Sequence, residues 1–149
     1  MQGERQLVDD RKAARGWGRL VPAAFWLAGS ATTVLAVLQL VRDTSIPLGQ
    51  RLLPLFAGIL YLLAALGLTH NGRKMRAIAW VSLSISAGGP IIVGLLGLGE
   101  PDLQGWSPWS NFGAQVWFVS LLLPIVGIAW LWSSNPRRIT QLAESVPRR

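Results

Sequence analysis

Apolar residues fall into four long runs, at about 20–41, 52–69, 77–98 and 112–132, and no Asp, Glu, Lys or Arg interrupts any of them. Each run is close to the roughly 20 residues a helix needs to cross the hydrocarbon core of a bilayer. In lipid the backbone N–H and C=O groups must pair within the segment, and the alternating pattern of a closed barrel is absent, so the runs are expected to be helices. The pattern predicts an all-α integral membrane bundle of four transmembrane helices. Pro54 suits a first helical turn, where its missing N–H is not needed, so the second span is expected to begin a few residues before 52. The first run follows Arg11, Lys12, Arg15 and Arg19 as a signal peptide would, but it is longer than the roughly 7–15 residues of a signal core and is read as an uncleaved span.

The polar stretches give the bundle a direction. Arg5, Arg11, Lys12, Arg15 and Arg19 precede the first span, Arg73, Lys74 and Arg76 lie between the second and third, and Arg137, Arg138, Arg148 and Arg149 follow the fourth. The other side has only Arg42 and Arg51, and the loop 99–111, GEPDLQGWSPWSN, has no basic residue. Twelve basic residues against two place both termini in the cytoplasm by the positive-inside rule. The expected organisation is a basic cytoplasmic segment 1–19, a transmembrane domain 20–132 with external loop 99–111, and a basic cytoplasmic tail 133–149. Trp106 and Trp109 in that loop, with Trp130 and Trp132 at the end of the fourth span, are expected as interfacial anchors, where an indole buries its ring and keeps its N–H wet.

Composition changes this picture little. With 51% hydrophobic and 14% charged residues, the chain lies far from the soluble average of roughly 25% charged. The net charge of +7 would suggest a nucleic-acid surface in a soluble domain, but here the basic residues flank the apolar runs and point to anionic lipid at the cytoplasmic face. No nucleic-acid partner is expected. The absence of cysteine excludes disulfides, thiolate metal sites and thiol catalysis. His70 is the only histidine and is read as a cap on the second helix, so neither a metal nor another cofactor is expected.

Two constellations inside the spans carry candidate chemistry. Ala28, Gly29, Thr32, Thr33 and Ala36 form a small-residue face on the first helix, suited either to packing within the bundle or to a partner; Ser82 with Ser86, and Ser84 with Gly88, repeat the spacing on the third. The sequence SAGGP, residues 86–90, and the pair Pro124 and Gly127 are expected helix breaks. Pro90 cannot donate to the carbonyl of Ser86, nor Pro124 to that of Ser120. These breaks suggest a small polar cleft at Ser82, Ser86, Gly89, Pro90, Ser120 and Pro124, against the alternative of ordinary kinks. The spans contain no ionisable proton-relay residue, and no nucleophile, base and orienting group can be assembled. The expectation is a non-enzymatic accessory or scaffold subunit of a bacterial inner membrane, with a membrane-protein partner or a second copy of itself. A carrier or lipid-handling protein with its cleft at the proline breaks is the alternative.

Overall fold

The computed structural model describes residues 19–42, 44–70, 72–100, 105 and 107–134. Most of the two basic terminal segments and the anchor candidate Trp106 therefore lie outside the described residues. The fold is an all-α bundle of α1 (Leu20–Arg42), α2 (Leu48–Thr69), α3 (Arg73–Gly99) and α4 (Val119–Ser133), with a short 3-10 segment (Ser110–Val116) before α4. The first three helices have 23, 22 and 27 residues, all long and apolar enough to cross a membrane. Their outward faces carry Leu27, Val34, Val81, Ile92, Leu95 and Leu98, each more than half exposed, which no soluble monomer of this size tolerates as a continuous belt. The protein is a multi-pass helical membrane protein in contact with the bilayer.

The α1–α2 and α2–α3 connections are only a few residues long, so successive helices run antiparallel. Arg51 Nη1 donates to Leu40 O at 3.2 Å and ties the end of α1 to the first turns of α2. At the opposite end Arg76 donates from Nη2 to Leu131 O at 2.9 Å and from Nη1 to Ser134 O at 3.2 Å, so α3 begins where α4 ends. The main core joins Phe25, Tyr61, Ala64, Ala65, Leu68, Ala79, Leu83 and Leu131 from all four helices. A smaller core of Ala57, Leu60 and Trp109 lies beyond it.

Three expectations change. First, the fourth apolar run is not one straight helix. The 3-10 segment and α4 meet at 92°. Asn111, Phe112 and Gly113, then Trp117 and Phe118, take left-handed backbone angles with φ between 54° and 83°. α4 has only 15 residues, about 22 Å, which falls short of the roughly 30 Å core. Second, α3 runs unbroken through SAGGP with Pro90 fully buried inside it, where burial of the ring outweighs one missing N–H. Third, α2 does start before residue 52, at Leu48, but Pro54 then lies inside the helix rather than in its first turn.

Candidate functional site

The start of α4 is tied to α2 at a carbonyl that a proline frees. Pro124 leaves the carbonyl of Ser120 without its intrahelical donor. Tyr61 on α2 fills the gap: its Oη donates to Ser120 O at 3.4 Å and accepts from Trp109 Nε1 at 3.3 Å. Trp109 is held in turn by its backbone N–H, which donates to Ser107 Oγ at 3.2 Å, while Ser110 Oγ donates to Gly105 O at 2.7 Å. The indole lies flat on α3. A Cβ at Gly89 would stand 2.6 Å from its ring carbons, and Phe56 meets it edge-on at 5.9 Å. Gly89 is ten residues from the end of α3, so the segment reaches about 15 Å down the bundle.

Trp109, expected as an interfacial anchor, is only 3% exposed and sits between helices, because glycine at position 89 leaves room for the ring and Tyr61 supplies its hydrogen-bond acceptor. Of the other anchor candidates, Trp130 is half-buried and Trp132 is 61% exposed. Among the described residues the most exposed indole is Trp117, at the left-handed turn before α4.

The residues of the expected cleft are all buried, on α3 and on α4. Gly89 is covered by Trp109, and the hydroxyls of Ser86 and Ser120 have no partner among the described residues. Ser82, Ser86 and Pro90 face the bundle interior on α3, while Ser120 and Pro124 do so on α4. A cavity of about 390 Å³ separates α1 from the start of α4, with walls from Ala28, Ala31, Thr32, Gln115, Trp117 and Ser120. Its surface is predominantly apolar, and it contains no ionisable group other than the buried Tyr61 hydroxyl.

The small-residue face of α1 divides between two neighbours. Gly29, Thr33 and Ala36 face α2: a Cβ at Gly29 would lie 2.9 Å from the backbone N of Leu62, and Thr33 fills the space above Gly58. Ala28 and Thr32, one position round, line the cavity. On α3 the Ser82 and Ser86 pair points inward, whereas Ser84 is exposed and Gly88 has open space where a Cβ would be. His70 is the C-cap of α2, its N–H donating to Leu66 O at 3.1 Å and its ring Nδ1 at 3.1 Å from the same oxygen.

Tyr61, Ala31 and Gln115 were not legible as site residues. Tyr61 is the only tyrosine of the chain, a single hydroxyl in the middle of an apolar span, and that singularity was the available signal. Taken together, the site offers hydrocarbon walls, one aromatic hydrogen-bond relay and no nucleophile beside a base. No protein-family model, curated protein or solved structure matches the chain.

Proposed function

We propose that this is a non-enzymatic membrane protein that holds the hydrocarbon chain of a lipid or comparable amphipathic molecule between α1 and α4. The observation that carries this reading is the cavity of about 390 Å³, which falls within the usual range of ligand pockets and has apolar walls beside a broken span. It favours the lipid-handling alternative over the scaffold reading, because the α1 face a scaffold would have offered to a partner is largely committed to α2. The positive-inside count supports an orientation with both termini in the cytoplasm, and the basic ends suit a bacterial inner membrane with anionic lipid on that side.

The test fills the cavity. Ala31 is exposed and lines it, so Ala31→Phe adds bulk without displacing a packed neighbour. Mass spectrometry of lipid retained after purification in mild detergent is expected to show less bound lipid for the variant. Equal retention would remove the cavity from the function. A second reading, an accessory subunit, draws on the outward pair Ser84 and Gly88, where a second helix backbone can approach closely. Gly88→Leu would then dissociate a co-purifying protein and leave lipid retention unchanged.

A further inference from the structure

A second cavity, of about 350 Å³, lies at the other end of the bundle, between the α2–α3 turn and the last turn of α4. Thr69, His70, Arg76, Trp130 and Ser134 are among its lining residues. Arg76 is half-buried here and spends one N–H from each terminal nitrogen on the carbonyls of Leu131 and Ser134. A guanidinium has five N–H groups in a planar fork, so the remaining ones stay available to a ligand.

Charge identifies the ligand. The C-terminal ends of α2 and α4 each carry roughly half a negative charge and the N-terminal end of α3 roughly half a positive one, so together the helix ends offset only part of the Arg76 cation. Among the described residues the only carboxylate is Glu100, beyond the far end of α3 and twenty-four residues from Arg76. That separation is about 36 Å along the helix, several Debye lengths at physiological salt. Arg73 and Lys74, one turn away and exposed, add to the same field. The location identifies it further. Trp130 and Leu131 give the cavity an apolar floor at the end of the spans, the depth at which headgroups meet hydrocarbon. Basic pockets between helix ends suit phospholipid headgroups for this reason.

We propose that this cavity binds the phosphate of an anionic phospholipid, with Arg76 as its anchor, the acyl chains running along the outer face of α4. The site is independent of the α1/α4 cavity and does not rest on its function. Arg76 holds the last turn of α4 and the lipid phosphate with one fork, and the lipid supplies an anion that no described residue provides at this end.

Native mass spectrometry of the full chain, titrated with phosphatidylglycerol and with phosphatidylcholine, tests the proposal. Phosphatidylglycerol is expected to bind first and more tightly, and equal concentrations of inorganic phosphate are expected not to displace it. Arg76→Lys keeps a cation at the end of α4 but loses the fork, and is expected to weaken phosphatidylglycerol binding about tenfold. The double variant Arg73→Gln, Lys74→Gln is expected to retain the preference. No preference in the wild-type protein would overturn the proposal, and this arm needs no variant to fold. Displacement by phosphate would show a free-anion site instead. Loss of preference in the double variant with retention in Arg76→Lys would show a diffuse basic surface.

Discussion

Tyr61→Phe isolates the hydrogen-bond relay that joins α2 to the broken fourth span. The change removes one hydroxyl and leaves ring packing intact, including the edge-on contact with Phe25 at 6.2 Å. Two buried groups lose their partner: the carbonyl of Ser120 and the indole N–H of Trp109. An unmet buried group costs about 1–3 kcal/mol. Both bonds are long, however, at 3.4 and 3.3 Å, and interhelical hydrogen bonds in membranes average about 0.6 kcal/mol. The expected loss is therefore about 1–2 kcal/mol, below the sum of two full penalties. The mechanism is separated from a generic core effect by Pro124→Ala, which gives Ser120 O an intrahelical donor. In that background Tyr61→Phe is expected to cost about 0.5–1 kcal/mol less, a coupling that a double-mutant cycle resolves. Unfolding in mixed micelles, followed by tryptophan fluorescence, gives all four stabilities. An equal cost of Tyr61→Phe in both backgrounds would show that the hydroxyl does not serve the carbonyl freed by proline.

Gly89→Ala should expel Trp109, since the new methyl would stand 2.6 Å from the indole, whereas Gly88→Ala meets nothing within 4 Å; a red shift and easier quenching of tryptophan emission in the first variant only is the expected result. Gly29→Leu should separate α1 from α2 and destabilise the fold by about 1–3 kcal/mol, measured by thermal aggregation in detergent, and unchanged stability would place that face outside the bundle core. Glu100→Cys should react with an impermeant maleimide in intact cells and Gly72→Cys should not, both positions being exposed, and the reverse order would invert the orientation.

Hydropathy made the membrane fold legible because lipid leaves an apolar run few choices: the starts and ends of α1 and α3 fall within a few residues of the predicted spans. The same measure failed for residues 112–118. Phe112, Val116, Trp117 and Phe118 count as apolar whether they lie in a helix or in a left-handed turn, and apart from Asn111, a residue type that tolerates positive φ, nothing local announces the left-handed backbone of Phe112, Trp117 and Phe118. The prolines misled in the opposite direction. Pro90 and Pro124 looked like breaks and both lie inside continuous helix, because the burial of each ring depends on neighbouring elements that no window of sequence contains. For the same reason Tyr61 escaped notice: its partners are 48 and 59 residues away. The α1 face was legible as a packing surface, but its division between α2 and a cavity depends on where α4 begins.

The broken span and the cavity have one physical origin, and this links stability to lipid. α4 starts at Val119 after a left-handed Phe118 that provides no side-chain cap, so its first turn opens on irregular backbone. Such backbone survives at membrane depth only where protein or an occupied cavity covers it. Trp109 and the glycines of α3 cover one side. The other side is the cavity against Ala31 and Thr32, and the proposed lipid would complete its cover. Removing retained lipid should then destabilise the wild-type protein, by RT ln(1 + [L]/Kd), or about 2.7 kcal/mol for lipid present at about 100 times its dissociation constant. Ala31→Phe supplies its own cover. Its stability should change little on delipidation, and once lipid is stripped it should match or exceed the wild-type protein. Measuring both proteins before and after exhaustive detergent exchange checks the link, and a wild-type stability indifferent to lipid removal would mean that the break is covered by the chain alone.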